Sequence, residues 1–425
     1  MQANDVSGGY PGTMSGVEKR MIDVKRVLED FPILTATDGS GRTLCYLDSG
    51  ATSQRPNQVL AAMDRYYTEM NANIHRGVYR ISEEATAAYE AAREKIRAFL
   101  NAKSTREIIY TSGTTESINL IARSWGRSLT AGDRVAVTEY EHHSNLVPWQ
   151  MLSAERGIQI EVIPVLDDGT LDQGVYRDIL TREPKLVAIG GMSNVLGTVP
   201  PIAEMIHAAH DAGALVLVDG AQTVPHQTVD VQALDADFLA FSAHKMLGPT
   251  GIGILYGKEA LLRAMPPFLG GGDMIRKVSL RSFTTADLPY KFEAGTKQIA
   301  EAIGFGAAVD YLNALGMENV AAHERALTER AVEALRAIPG LTIYGPERER
   351  GGLVSFTIDG VHPHDVASLL DEDRICVRAG HHCAMPIHDR FKIPATTRAS
   401  FYIYNTEADV ERLAAGLKRV IQIFA

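Results

Sequence analysis

The stretch Leu186–Asp219, LVAIGGMSNVLGTVPPIAEMIHAAHDAGALVLVD, decides the architecture. It opens on Leu186-Val-Ala-Ile-Gly190 and runs to Ala214-Leu-Val-Leu-Val218, two segments too apolar to present a solvent face. Between them Ile202–Ala212 reads as a helix, opened by Pro200-Pro201 and closed by Gly213. Proline suits the first helical turn because its missing N–H has no partner there, and glycine ends helices because it tolerates positive φ. Strands that are nearly all apolar and joined by helices belong to a mostly parallel sheet covered on both faces.

The same alternation extends outward from about residue 86 to residue 257. Ala87–Leu100 has apolar residues at helical spacing with charges on the other face. Glu107–Thr111 reads as a short strand, followed by the turn Ser112-Gly113 and a helix from Thr114. Val135–Thr138, Ile158–Val165, Phe238–Ser242 and Gly253–Tyr256 read as further strands. After about residue 310 the pattern changes: a long helix over Glu318–Ile338, strands at Leu353–Ile358, Ile375–Arg378 and Ala399–Tyr404, a short helix at His364–Glu372, and a closing amphipathic helix over Glu407–Ile423. The expectation is an α/β protein with a large, mostly parallel-sheet domain over residues 36–310. A smaller C-terminal α+β domain is expected over 311–425, joined by residues 21–35 with their helix Val24–Asp30.

Composition narrows the function. The chain has 425 residues, 45% hydrophobic and 22% charged, with a formal net charge of -10, so a phosphate-backbone binder is disfavoured. Three cysteines, Cys45, Cys376 and Cys383, form no disulfide framework and fit a reducing, cytoplasmic setting. Residues 1–20 are polar and rich in Gly and Ser, reading as a flexible tail, and no apolar run approaches the roughly 18 residues that span a bilayer.

Five constellations carry possible chemistry. In Thr111-Ser-Gly-Thr-Thr-Glu116, Gly113 allows a tight turn and the following amides emerge at a helix amino terminus, which suits a phosphate; alone it is equally an ordinary N-cap. In Leu217-Val-Asp219-Gly-Ala-Gln222 an acid stands at a strand's carboxyl end, where open α/β sheets bind ligands and where it can hold a protonated pyridine nitrogen; a structural Asp before Gly is the alternative. Phe241-Ser-Ala-His-Lys245 ends a buried strand on a lysine, and burial lowers an amine pKa and suits it to Schiff-base chemistry. In Glu141-His-His-Ser-Asn145, His142 can stack on a ring or move protons, or be a hydrogen-bonded loop residue. Finally, Arg378-Ala-Gly-His-His-Cys383-Ala-Met-Pro386 sets a cysteine among histidines and arginines, surroundings that favour thiolate, while Arg398 can clamp a carboxylate. His-His-Cys can also belong to a metal site, though no second cluster at ligand spacing accompanies it.

In this order the motifs resemble the fold-type I pyridoxal-phosphate enzymes of the class V aminotransferase branch, and within them the SufS-type (group II) cysteine desulfurases. The likeness runs through Leu47-Asp-Ser-Gly-Ala51, Asn73-Ile-His-Arg-Gly77, Ser193-Asn-Val-Leu-Gly-Thr198, Phe292-Glu-Ala-Gly-Thr296 and the Cys383 loop, leaving out little beyond the first 20 residues. Lys297-Gln298 depart from the family pattern beside the expected dimer contact.

The resemblance implies pyridoxal 5'-phosphate bound covalently by Lys245, its pyridine nitrogen held by Asp219 and its ring hydroxyl by Gln222. His142 would stack on the ring. Thr114, Ser242 and His244 would bind the phosphate, with Thr296 reaching in from the second protomer of a homodimer. Asn194 and Arg398 would bind the substrate carboxylate and Arg378 would line the same pocket. The implied reaction moves sulfur from L-cysteine to Cys383 as a persulfide, leaving L-alanine. Lys245 and His142 would move protons, and a sulfur-acceptor protein of the SufE or SufU kind would serve iron–sulfur cluster assembly. A selenocysteine lyase would share these residues; a transaminase would keep Lys245 and leave Cys383 idle; a silent scaffold would need none of them.

Overall fold

In the computed structural model, which describes residues 22–424, seven strands form the central sheet. They are β1 (Ile108–Thr111), β2 (Arg134–Thr138), β3 (Gln159–Ile163), β4 (Leu186–Gly190), β5 (Leu215–Asp219), β6 (Phe238–Ser242) and β7 (Gly253–Gly257). Their order is β1-β7-β6-β5-β4-β2-β3. All run parallel except β7, which is antiparallel to both neighbours. The period of two explains the apolar runs: on β4, Val187 and Ile189 enter one hydrophobic cluster while Leu186 and Ala188 enter another on the opposite face. A strand that must satisfy two apolar layers has no polar side to show.

Helix Arg80–Phe99 and helix Ile299–Leu315 lie together beside this sheet, at spacings that tolerate only glycine. A Cβ on Gly306 would stand 2.9 Å from the Cβ of Ala92. The strand expected over Gly253–Tyr256 also depends on a glycine: a Cβ on Gly253 would stand 2.5 Å from the Cα of Gly113, so β7 and the turn after β1 touch backbone to backbone.

The second sheet is antiparallel and contains β8 (Leu341–Tyr344), β9 (Leu353–Ile358), β10 (Arg378–Gly380) and β11 (Thr396–Ser400), in the order β8-β9-β11-β10. Helices Met317–Arg336, Pro363–Asp371 and Glu407–Phe424 contribute to its core. Two expected strands change. Ile375–Arg378 is divided: Ile375–Cys376 pairs in parallel with Cys45–Tyr46, and Arg378 begins β10. The strand expected over Ala399–Tyr404 starts earlier, at Thr396, and ends at Ser400, because Asn405 closes a turn by accepting the Tyr402 N–H on its side chain.

The amino-terminal segment divides its apolar residues between two hydrophobic clusters. Val27, Phe31 and Leu34 join the large core, with Phe31 edge-on to Tyr311 and Tyr404, whereas Cys45 and Leu47 join the core of the second sheet. The tail expected over residues 1–20 lies outside the described residues. Among the described residues no helix is long and apolar enough to cross a membrane.

Candidate active site

The carboxyl ends of β1, β2, β4, β5 and β6 open on one edge of the large sheet, and β10 and β11 face it. Between them lies a cavity of about 270 Å³. Its lining includes Lys245, Asp219, Gln222, His142, Thr114, Ser242, His244, Asn194, Arg398, Arg378 and Cys383. Of the residues singled out in the sequence only Thr296 stands outside it, on an exposed loop before helix Ile299–Leu315.

At one end, β1 gives way to Ser112-Gly113 and then to helix Thr114–Ser124. The Thr114 N–H donates to Ser242 Oγ at 2.8 Å, and the two hydroxyls lie 2.7 Å apart, which ties the helix terminus to the end of β6. The remaining first-turn amides have no intrahelical acceptor, so this end suits an anion. His244 lines the same cavity, burial lowering its pKa to about 4, while its carbonyl accepts from Ser53 N–H at 2.9 Å and Thr52 Oγ1 at 3.0 Å.

Asp219 ends β5, buried, with its pKa raised by that burial against the Ala221 N–H donated at 3.0 Å. Beside it Gln222 donates through Nε2 to the Gly50 carbonyl at 2.7 Å, leaving Oε1 buried without a partner. Lys245 stands on the turn Ala243–Lys245 that follows β6; burial lowers its pKa to about 8, with Asp219 pulling the other way. His142 accepts the Ser144 N–H on Nδ1 at 3.1 Å, so its neutral form carries the proton on Nε2. Burial and then Lys245 hold its pKa at about 3, so the ring is neutral at working pH. An orphan acceptor, a buried acid, an amine of lowered basicity and a cluster of free anion-binding donors are together the set that pyridoxal phosphate requires. These residues fit it.

At the other end Asp48 joins two arginines. Arg378 donates to it through Nε at 3.0 Å and Nη2 at 2.7 Å; Arg398 approaches through Nη2 at 3.4 Å and gives Nη1 to the Asn194 carbonyl at 2.8 Å. Arg398 Nε is buried and unpartnered. Asn194 Nδ2 donates to the His382 carbonyl at 2.7 Å, so this residue, expected at a substrate carboxylate, also ties the Cys383 loop to the large sheet. Cys383 is exposed at the mouth, with φ of 56°, and His382 before it has φ of 51°. Two successive non-glycine residues in the left-handed region cost on the order of 1–2 kcal/mol each, so the surroundings must hold this turn. Cys45 is buried with a raised thiol pKa, and Cys376 is half-buried. Among the described residues no three His, Cys, Asp or Glu side chains gather in a metal-ligating group.

Two acids at the site carried no role in the sequence reading, Glu141, which lines the cavity, and Asp48, which holds its two arginines. Each stood inside a quoted motif; Asp48 offered the signal of an acid between Leu47 and Gly50, whereas Glu141, between Tyr140 and His142, offered none in its neighbours. Glu141 is fully buried and takes three donors, Thr138 Oγ1 at 2.6 Å, Asn145 Nδ2 at 2.7 Å and Gly190 N–H at 2.8 Å. Desolvation nonetheless raises its pKa from 4.5 to about 7. A raised folded-state pKa means that the protonated form is favoured: its stabilisation is complete below about pH 4.5 and is lost as pH rises through 7, a change of about 3 kcal/mol. Glu141→Gln cannot ionise. It is expected to lose a pH-independent increment, because its amide faces Asn145, while flattening the fall in urea midpoint between pH 5 and pH 8. An unchanged slope in the variant would place the titration elsewhere.

The aminotransferase class V family model matches residues 45–413. A probable cysteine desulfurase of Streptomyces coelicolor is 49% identical over 411 residues, covering 95% of this chain and 98% of that protein. A cysteine desulfurase of Pectobacterium carotovorum is 48% identical over 399 residues, covering 93% and 98%. Among solved structures, the apo cysteine desulfurase from Thermococcus onnurineus superposes with a TM-score of 0.90 at 39% identity, covering 96% of this chain and all of that one. The cysteine desulfurase CsdA from Escherichia coli does so with a TM-score of 0.88 at 40% identity, covering 95% and 100%.

Proposed function

Because the chain belongs to the class V aminotransferase family of fold-type I pyridoxal-phosphate enzymes, we propose that it is a cysteine desulfurase, converting L-cysteine to L-alanine and storing the sulfur as a persulfide on Cys383. The observation that carries this reading is that an exposed thiol and a half-buried lysine of lowered pKa line one cavity with a pair of arginines. A transaminase has no use for that thiol.

Bound through Lys245, pyridoxal phosphate supplies an electron sink for the substrate's Cα–H bond pair. The protein's part is to bind, orient and move protons. Arg398 receives the substrate carboxylate on its unpartnered Nε face, and Asn194 flanks it. Lys245, half of whose population is neutral near pH 8, takes the Cα proton once its amine is free. Asp219 would hold the pyridine nitrogen and Gln222 the ring hydroxyl, while Thr114, Ser242 and His244 would hold the phosphate. Neutral His142 would stack on the ring and keeps a proton on Nε2 for the substrate's sulfur.

The thiolate of Cys383 attacks that sulfur. One S–S bond forms and the Cβ–S bond breaks, its electron pair remaining on carbon; Cβ then takes up a proton and becomes the alanine methyl. Thiol and cysteine become persulfide and alanine, so no outside oxidant or reductant enters. The persulfide passes to an acceptor protein of the SufE or SufU kind for iron–sulfur cluster assembly in the cytoplasm. Thr296 of a second copy completes the phosphate site in a homodimer.

Brief treatment of the purified holoenzyme with L-cysteine, followed by intact mass, tests the reading. The wild type is expected to gain one sulfur atom removable by dithiothreitol, and Cys383→Ala none. No gain in the wild type, with no alanine released, overturns it in favour of a transaminase or a silent scaffold.

A further inference from the structure

The Cys383 turn is not held by its own segment alone. Within it, the Ala384 N–H reaches the His381 carbonyl at 2.9 Å. The carbonyls of its two left-handed residues are bonded from outside, that of His382 by Asn194 Nδ2 at 2.7 Å and that of Cys383 by the His143 N–H at 2.7 Å. Next comes helix Met385–Phe391, whose N-cap residue, Ala384, has no side chain able to accept a first-turn amide. That acceptor is His143 Nε2, which takes the Met385 N–H at 3.1 Å. A helix terminus without a cap leaves its amides to water and frays. Here the cap comes from the loop after β2, one residue beyond His142.

His143 therefore grips the nucleophile loop on both sides of the thiol, through its backbone at Cys383 and through its ring at Met385. Accepting on Nε2 requires a neutral imidazole, and burial favours that state. From this geometry we propose that His143 is the positioning residue of the Cys383 loop: its ring caps helix Met385–Phe391 and holds the left-handed turn that presents the thiol to the Lys245 pocket. The proposal rests on the desulfurase reading and adds to it the group that sets the position of the nucleophile.

The test compares holoenzyme of wild type, His143→Ala and His143→Gln, the last offering Oε1 at nearly the reach of Nε2. Persulfide formation on Cys383 after L-cysteine is read by mass. Exchange of the Cα proton of L-alanine in deuterium oxide is read separately, since it needs Lys245 and cofactor but no thiol. In His143→Ala, persulfide formation is expected to slow about tenfold, the order of one lost hydrogen bond. Cα exchange is expected to stay within about twofold, and amide exchange over Cys383–Phe391 to quicken. His143→Gln is expected to restore the persulfide rate. Parallel loss of both reactions, loss of neither, or failure of Gln to restore would each overturn the proposal. If the wild type itself gains no sulfur, the desulfurase reading falls instead.

Discussion

Lys245→Ala is expected to lower alanine release from L-cysteine by on the order of 10⁴-fold and to leave a protein that loses its pyridoxal phosphate on gel filtration, measured by steady-state turnover and by visible absorbance. Both effects have one cause. The cavity surrounds Lys245 with groups that act on its charge in opposite directions: desolvation, Arg398 and Arg378 lower its pKa, while Asp219 and the Cys383 thiol raise it. The net result, a pKa of about 8, leaves a substantial neutral fraction at working pH, which covalent capture of an aldehyde and removal of a Cα proton both demand. Alanine at this position supplies neither function. A small amine such as methylamine, added to the variant, should recover part of the proton transfer and none of the covalent retention. Turnover within tenfold of wild type without added amine would show that some other group removes the proton.

How far the sequence could lead is clearest in particular elements. Strands β4 and β6 were legible to the residue because both of their faces are buried, and an unbroken apolar run between turn residues has few alternatives. Helix Ile299–Leu315 was not, for a related reason: Ile299, Ala300, Ala302, Phe305, Ala308 and Leu312 are buried around much of its circumference, so no polar stripe marks the period. Helix Met385–Phe391 was hidden because its cap comes from His143, distant in sequence, and Ala384 carries none of the usual capping side chains. The eleven pocket residues were found as motifs; their partners were not. That Arg378 is occupied by Asp48, and that Asn194 holds a loop carbonyl, are facts of tertiary geometry. Lys297, the departure from the family pattern, is buried, with Nζ donating to the Glu293 carbonyl beside Asp273. A lysine there is accommodated by satisfying its ammonium within its own loop.

Arg398→Lys tests whether Asp48, by occupying Arg378, leaves Arg398 to bind the carboxylate of the proposed substrate. Both guanidiniums line the cavity, but their hydrogen-bonding capacity differs. Arg378 spends Nε and Nη2 on Asp48, a bidentate pair, and its side chain is 46% exposed. Arg398 is fully enclosed, meets Asp48 only at 3.4 Å, and keeps Nε free. A substrate carboxylate would therefore find the free Nε of Arg398, in a desolvated place where a charge-assisted hydrogen bond is strong. Lysine keeps the charge and loses the fork. Arg398→Lys is expected to lower kcat/KM for L-cysteine by about 10²–10³-fold, the range for removing one half of a buried charge pair, mostly through KM. Binding of cysteamine, which has no carboxylate, should change little. Arg378→Lys should cost far less, because its fork already belongs to Asp48. An equal loss in the two variants would mean that Asp48 releases Arg378 when substrate enters, and that the carboxylate is shared between the arginines.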